Sequence, residues 1–325
     1  MKREILKLLE KNSEMSVTEL SDLLHVSRQL IHRILKILQE EGLVQKLGSS
    51  PRTFYRLVPI ENQRKEQLIQ IDDEKADFIK DHFLYITENG ERYEGLEAMT
   101  LWCKRQKLPL EKTINEFIST RKKYLTYTGS NGLISGLDKI RNTQGFEAIG
   151  LDELYYQDFY AIERFGKTKL GNLLHFAKQG QNRAMMKEIT DTIRPSLLKL
   201  IIELSIDAVG FIPPTIKRDV QIMHVLVQNL NLSLPHIDLL KVRGQIVVPQ
   251  KALNKLEDRI NNARSSIIVS EKRTFNTVLL IDDAVGSGAT INETAIKLKF
   301  KKICKRVIGF AITGSFKGFD VIQEA

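Results

Sequence analysis

Two adjacent carboxylates, Asp282 and Asp283, stand just before a loop of small residues at 286–289. Such small side chains let backbone N–H groups close on an anion, and Thr290 is suited to cap a following helix whose N-terminus favours a phosphate. A phosphate would be repelled by the two acids, so the acids must contact another part of the ligand. We expect a ribose 5-phosphate, whose phosphate lies on the N–H groups of 285–290 and whose vicinal hydroxyls donate to the acids.

The elements around this loop predict a layered α/β domain. The acids follow the apolar run Val278–Ile281, which predicts a buried parallel strand, and they precede a predicted helix at Ile291–Phe300. Helical patterns cover Phe159–Lys178, Arg183–Ser205 and Asp219–Leu230, and strand patterns cover Ala208–Ile212, Ile237–Lys241, Ser266–Val269 and Val307–Ile312. This alternation predicts a parallel sheet with helices on both sides. Ligands of such sheets bind beyond the C-terminal strand ends, where Asp282 lies.

The segment Leu-Ile-Asp-Asp-Ala-Val-Gly-Ser-Gly-Ala-Thr, which ends at Thr290, resembles the phosphoribosyl pyrophosphate (PRPP) motif of type I phosphoribosyltransferases. In that family four apolar residues precede two acids, and a Thr-Gly-x-Thr phosphate loop follows, for which this chain has Ser287-Gly-Ala-Thr. Three further stretches resemble the ComF branch of the family: Ala177–Gly180, Ile212–Pro214 and Pro249–Asn262. The cysteine zinc module common in that branch has no counterpart, because the two cysteines, Cys103 and Cys304, lie far apart.

The resemblance implies a role for each matching residue. The acids would bind the ribose hydroxyls, 285–290 would hold the 5′-phosphate, and 213–217 would be the pyrophosphate loop. The implied ligand contacts are Asp282, Asp283, Ala284, Val285, Gly286, Ser287, Gly288, Ala289, Thr290, Pro214, Lys217 and Arg218. Candidate pyrophosphate cations are Lys217, Arg218, Arg243, Lys251 and Arg259. The cofactors implied are PRPP or a nucleotide 5′-phosphate, with Mg²⁺ bound to the pyrophosphate; no protein metal ligand and no catalytic residue is assigned.

The first 58 residues carry a second pattern. Three amphipathic helices are predicted. The first is Lys2–Lys11, the second begins at a cap that is either Ser16 or Thr18, and the third is Arg28–Glu41, capped by Ser27. Short strands are predicted at Leu43–Lys46 and Thr53–Leu57. This order of elements resembles the winged helix-turn-helix of bacterial transcription regulators, which implies DNA as a partner.

A helix that enters the major groove needs polar donors on its outer face. The predicted DNA contacts are Ser27, Arg28, Gln29, His32 and Arg33 on the third helix and Arg52 on the wing. The alternative is that this unit mediates protein interaction or dimerisation.

Residues 59–150 show no motif with chemistry. Pro59–Asp73 has the composition of a linker, Lys75–Leu125 is mainly helical by pattern, and Tyr127–Gly150 predicts a loop or short hairpin. The cluster Arg121–Lys123 is either a nucleic-acid contact or a solvated helix end. The function of this middle segment is left open.

The whole chain has 325 residues and a net charge of +9, which favours polyanionic partners such as nucleic acid or phosphate-rich ligands. It contains no apolar run of membrane-spanning length and no signal-peptide pattern. We therefore expect a cytoplasmic protein with no membrane partner. The sequence leaves a homodimer open.

Together these patterns predict a multidomain protein: a winged helix (α+β) at 1–58, a linker and mainly helical middle segment at 59–150, and an α/β phosphoribosyltransferase-like domain at 151–325. Two functions are compatible with it. The C-terminal domain is either a sensor, whose PRPP or nucleotide ligand changes DNA affinity, or an active transferase acting on a base, nucleotide or macromolecule, as in an anti-phage effector. A receiver domain or a generic nucleotide cradle would also place acids or glycines at a strand end.

Overall fold

A computed structural model of the protein describes residues 1–49, 52–58, 71–216, 218–242 and 256–316. The chain divides into two compact units, Met1–Ile71 and Asp72–Ala325. Within the described ranges, no helix has the length and apolar character needed to cross a membrane.

The N-terminal unit has the predicted winged-helix order. Its helices are α1 (Lys2–Lys11), α2 (Val17–Leu24) and α3 (Arg28–Glu40), and its strands are β1 (Met15–Ser16), β2 (Val44–Ser49) and β3 (Arg52–Leu57). The strands form an antiparallel sheet in the order β1-β3-β2. Apolar residues at helical spacing, including Ile5, Leu20 and Leu35, are fully buried between the helices and the sheet.

Side-chain caps explain where α2 and α3 begin. Ser16 and Glu19 form a reciprocal capping box at α2, and Ser27 Oγ accepts a hydrogen bond from the Leu30 N–H at α3. His25 takes the left-handed conformation (φ 53°) that ends α2 and allows the tight turn into α3. Of the two caps considered for α2, Ser16 is therefore the one used.

The second unit is built around a mixed sheet. Its helices are α4 (Asp73–His82), α5 (Gly95–Gln106), α6 (Leu110–Leu125), α7 (Leu137–Arg141), α8 (Lys169–Gln179), α9 (Arg183–Glu203), α10 (Ile222–Leu230), α11 (Leu256–Ser266) and α12 (Ala289–Phe300). Its strands are β4 (Leu84–Ile86), β5 (Arg92–Glu94), β6 (Ile134–Ser135), β7 (Glu153–Phe159), β8 (Ala161–Ile162), β9 (Gly166–Lys167), β10 (Ala208–Phe211), β11 (Leu239–Lys241), β12 (Ile267–Val269), β13 (Phe275–Val285) and β14 (Cys304–Gly314).

Five of these strands form the central sheet, in the order β10-β13-β14-β7-β6. The first four are mutually parallel, and β6 pairs antiparallel with β7. β13 is buried on both faces: Leu279 and Ile281 join the apolar core with α8, α9 and α10, while Val278 and Leu280 are equally buried. The predicted parallel strand is present, and the antiparallel edge makes the sheet mixed.

One strand of the central sheet, β7, carried no prediction from the sequence. The expected helix Phe159–Lys178 is wrong in its first half, because Phe159 ends β7 and the helix α8 begins only at Lys169. β7 alternates half-buried and buried residues, as a strand does. The pattern is too short to identify a strand from the sequence, and the pairing with β14 identifies it. The helix α11, in the stretch compared with the ComF branch, was not predicted at all.

The middle segment packs into the second unit, so no boundary between compact units lies at residue 150. β6 lies within this segment and extends the central sheet at β7. The rings of Phe83, Trp102 and Phe117 form a contiguous edge-packed cluster with Phe165, which lies beyond the expected boundary. The expected mainly helical character agrees with α4, α5 and α6.

A buried ion pair fastens α6 to β7. The guanidinium of Arg121 donates from Nη1 and Nη2 to the two carboxylate oxygens of Asp158, at 2.9 Å each. Both side chains are almost fully buried. Arg121 is therefore neither a nucleic-acid contact nor a solvated helix end, although its neighbours Lys122 and Lys123 are exposed.

Replacing Arg121 with Met should lower the free energy of unfolding by about 3–5 kcal/mol, because Asp158 then remains as a buried, unpaired charge. The single tryptophan, Trp102, lies in the second unit, so its fluorescence during urea unfolding measures this change. Lys122→Ala is the matched control and should cost less than about 1 kcal/mol. Adding Asp158→Asn to Arg121→Met should recover part of the loss; equal costs for the Arg121 and Lys122 variants would contradict the assignment.

Candidate functional site

A cavity of about 190 Å³ lies at the C-terminal ends of β10 and β13 in the second unit. β13 contributes the acid pair, the β13–α12 loop contributes small residues, and the loop after β10 contributes a proline pair. The cavity is lined by Lys178, Ile212, Pro213, Pro214, Thr215, Ile216, Arg218, Val220, Gln221, Ile222, Lys241, Arg259, Asp282, Asp283, Ala284, Val285, Gly286, Ser287, Gly288, Ala289, Thr290 and Ile291. All predicted ligand contacts except Lys217 are among them; Lys217 is outside the described ranges.

The acid pair forms the negative side of the cavity. Burial, and then repulsion from Asp283, raises the pKa of Asp282 to about 7. The Asp283 N–H donates to Asp282 Oδ1 at 2.8 Å, and Asp283 Oδ2 accepts from Lys178 Nζ at 2.7 Å. Both members of that ion pair are largely buried. Asp283 is thus neutralised by Lys178, whereas burial disfavours the charged form of Asp282.

The small-residue loop forms the donor side of the cavity. α12 begins at Ala289 with Gly288 as its N-cap residue in the left-handed conformation (φ 82°), and Gly288 has no side chain to cap the helix. The Ala289 N–H donates instead to Ser287 Oγ at 3.3 Å. The expected cap by Thr290 is wrong, because Thr290 already lies within the first turn. A left-handed Gly288 ends the strand-to-helix turn two residues earlier than a cap at Thr290 would. The first N–H groups of α12 therefore border the cavity together with the positive end of its dipole.

Cationic side chains enter the cavity from elements that are distant in sequence. Of the predicted cations, Arg218 and Arg259 line it, and Arg259 is 7% exposed. Lys217, Arg243 and Lys251 fall outside the described residues. Lys178 and Lys241 also line the cavity.

Lys241 was not predicted as a site residue. It ends β11 and donates to Thr215 Oγ1 at 2.7 Å. Burial lowers its pKa, and attraction to Asp282 and Asp283 opposes that shift. Its position as the last residue of a predicted strand was the one sequence signal, since strand ends of a predicted α/β domain border the site.

The loop after β10 closes the cavity opposite α12. The Ile212 N–H donates to the Ile281 carbonyl at 2.8 Å, which holds the start of this loop beside the end of β13. Pro213 and Pro214 follow, and neither can donate a backbone N–H. The residues that carried the sequence resemblance at this loop therefore meet the acid pair in space.

In the N-terminal unit, the predicted DNA contacts share one exposed face of α3. Arg28, Gln29, His32 and Arg33 are exposed, while the opposite side of the helix carries the buried stripe that includes Ile31 and Leu35. Ser27 is exposed as well but is also the cap of α3. The side chain of Arg52 lies outside the described part of the chain. The described contacts thus form a continuous polar surface of the kind that enters a groove.

Replacing Asp282 with Asn should stabilise the protein at high pH. Since the pKa of Asp282 in the folded state lies above that of an ordinary carboxyl, its contribution to stability is fully present below the unfolded pKa and is lost as the pH rises through about 7. At pH 8 the Asn variant should exceed the wild type in free energy of unfolding by about 1–3 kcal/mol, and the difference should vanish towards pH 4.

The measurement is urea unfolding of both proteins between pH 4 and 8, followed by Trp102 fluorescence. Asp283→Asn is the matched control and should destabilise, because it leaves Lys178 without its partner. Parallel stability profiles for the wild type and Asp282→Asn would show that Asp282 does not titrate as described.

Comparison with known proteins identifies the N-terminal unit. The family of winged helix-turn-helix DNA-binding domains matches residues 1–45. A search of curated proteins finds no match to the chain. Together with α1–α3 and the β2–β3 wing, the family match shows that the chain begins with a winged helix-turn-helix DNA-binding domain.

Proposed function

We propose that the protein is a ligand-responsive DNA-binding regulator, whose second unit is a phosphoribosyltransferase-like domain that binds PRPP or a nucleotide 5′-phosphate. One observation carries the proposal: the acid pair and the N-terminus of α12 line the same cavity. A ligand that satisfies both must bear hydroxyl donors and an anionic group a short distance apart. A ribose 5-phosphate has both.

The charges of the cavity support the same ligand class. The carboxylates of Asp282 and Asp283 accept hydrogen bonds from vicinal hydroxyls, and the N–H groups at 286–290 donate to the 5′-phosphate. The cations Lys178, Arg218, Lys241 and Arg259 also line the cavity, so a second phosphate group would lie among positive side chains. This arrangement favours a diphosphorylated sugar over a simple anion.

Magnesium would enter with the ligand. Within the described ranges, no group of three or more His, Cys, Asp or Glu side chains could hold a metal ion. Because the Asp282 and Asp283 carboxylates are assigned to the ribose hydroxyls, a Mg²⁺ ion would take its oxygens from the diphosphate, the ribose and water. Bound there, the ion would neutralise charge on the diphosphate.

The proposal is tested by measuring whether ligand binding changes the affinity for DNA. DNA affinity of the full chain, measured by fluorescence anisotropy, should change at least about fivefold between zero and saturating Mg²⁺–PRPP. Asp282→Asn should bind PRPP at least tenfold more weakly, because a charge-assisted hydrogen bond is lost, and should need correspondingly more ligand for the same effect.

The control pair Asp191→Asn and Glu203→Gln removes two exposed acids from α9 and should leave the titration unchanged. PRPP that binds without changing DNA affinity would overturn the regulatory part of the proposal. Undetectable binding of PRPP and of nucleotide 5′-phosphates would overturn the ligand assignment as well.

The exposed face of α3 is proposed to read the DNA. Arg28→Ala with Arg33→Ala should weaken specific binding at least tenfold and should flatten the dependence of affinity on salt, because fewer counterions are released. Lys7→Ala with Lys11→Ala removes the same charge from the exposed side of α1 and serves as the control. Equal losses in the two double variants would point to a general charge effect and would contradict groove reading by α3.

The cations of the cavity also favour a second candidate, an active transferase. In that reaction the bond between the anomeric carbon of PRPP and its pyrophosphate oxygen breaks, a bond to an acceptor atom forms, and pyrophosphate leaves. Four cationic side chains around the diphosphate would stabilise the charge of the leaving group. The sensor needs only the binding step, so the two candidates differ in product release.

Pyrophosphate release separates them. If the protein is a transferase, incubation with Mg²⁺–PRPP and candidate acceptors should release pyrophosphate, and Asp282→Asn should slow this at least tenfold. Release at an undiminished rate in the Asn variant would place the activity elsewhere or in a contaminant.

A further inference from the structure

A lysine of the middle segment holds the small-residue loop from behind. Lys139, on α7, donates from Nζ to the Gly286 carbonyl at 2.6 Å and also to Ser315 Oγ. Ser315 Oγ donates in turn to the same carbonyl at 3.1 Å. Gly286 lines the cavity, whereas Lys139 does not. The lysine therefore contacts the loop on the side that faces away from the cavity.

Because the peptide bond is planar, the contact to the Gly286 carbonyl also sets the direction of the N–H group on the same peptide. The Gly286 carbonyl and the Ser287 N–H belong to one trans peptide, in which the two groups point in opposite directions. With the carbonyl held towards Lys139, the N–H is directed away from Lys139. Since Ser287 borders the cavity, that N–H is placed as a donor to an anion there.

The neighbour of Lys139 supports the loop a second time. A Cβ built on Gly288 would lie 2.5 Å from Ile140 Cδ1, so the Ile140 side chain occupies the space that a larger residue would need. α7 is itself anchored, because Leu137 and Ile140 are buried and the Gly136 N–H donates to the Leu154 carbonyl of β7 at 2.8 Å. The small-residue loop is therefore packed against α7, which is itself held in place by its burial and by its hydrogen bond to β7.

The charge of Lys139 adds to the effect. Burial lowers the pKa of its ammonium to about 8, and no carboxylate of the described residues forms an ion pair with it. The groups that face it from the β13–α12 loop and the end of β14 are a carbonyl and a hydroxyl. The charged residues of its own helix, Asp138 and Arg141, are exposed to solvent. Its positive charge therefore acts on the loop.

We propose that Lys139 is a positioning residue of the anion site, which holds the 286–288 loop in its phosphate-binding orientation without touching the ligand. This inference rests on the proposed function, because it assumes that the loop binds a phosphate. It gives the middle segment a role that its sequence did not disclose.

The experiment measures ribose 5-phosphate binding to the full chain by calorimetry, between pH 7 and 9.5, where the phosphate remains a dianion. Lys139→Met should bind at least tenfold more weakly than the wild type at pH 7. Arg141→Met removes the same charge from the exposed side of α7 and should stay within about twofold. Since Asp282 and Lys241 titrate in every variant, the profiles are compared as ratios. The affinity of the wild type relative to Lys139→Met should fall towards one as the pH rises, whereas the affinity of Lys139→Arg relative to Lys139→Met should stay constant.

The outcomes separate the inference from the proposed function. Undetectable binding to the wild type at pH 7 would overturn both. Wild-type binding with an unchanged affinity in Lys139→Met would overturn the role of Lys139 alone. If Trp102 fluorescence shows that Lys139→Met does not fold, the Arg variant decides: a ratio of wild-type to Lys139→Arg affinity that stays constant with pH overturns the role, and a ratio that falls as the pH rises supports it.

Discussion

The burial of two negative charges at the end of β13 is the constraint on which the site depends. A carboxylate removed from water costs several kcal/mol unless it is paired, and Asp282 and Asp283 also repel each other. The fold offsets this with Lys178 from α8, which pairs with Asp283, and with Lys241 from β11, which is attracted to both acids. The elements that carry these lysines must therefore be fixed around the strand end.

The same burial that costs stability would strengthen the binding of the proposed ligand. In a low-dielectric cavity, a hydrogen bond from a ligand hydroxyl to a carboxylate is stronger than in water. On the other side of the cavity, the N-cap residue of α12 is a glycine without a side chain, and the N-terminus of the helix borders the cavity. A sequence optimised only for stability would replace the buried acids and place a capping side chain at the start of α12. The presence of both features at one cavity supports a ligand site here.

The middle segment completes the second unit. Arg121 joins α6 to β7 through a bidentate ion pair, and β6 extends the sheet beyond β7. α7 then places Lys139 and Ile140 behind the small-residue loop. A segment without any recognisable motif thereby contributes to the sheet, to the core and to the support of the cavity.

The sequence by itself determined the elements whose signals are local. The helices of the N-terminal unit were predictable because their caps, Ser16 and Ser27, and their apolar stripes lie within a few residues of each other. The strand–acid–loop–helix order at 278–300 was predictable for the same reason. The position of the α12 cap was not, because a left-handed Gly288 and a threonine cap satisfy the same pattern.

Only the tertiary structure decided which distant residues meet at the cavity. β7 was recognisable as a strand only from its pairing with β14 and β6. Lys241 is a site residue because β11 ends beside the acids. Arg121 belonged to a cluster that the sequence left as either a nucleic-acid contact or a solvated helix end, and Lys139 carried no prediction, because their partners Asp158 and Gly286 are distant in the chain. Pairing between distant segments depends on the packing of the whole unit, and no local pattern of residue types encodes it.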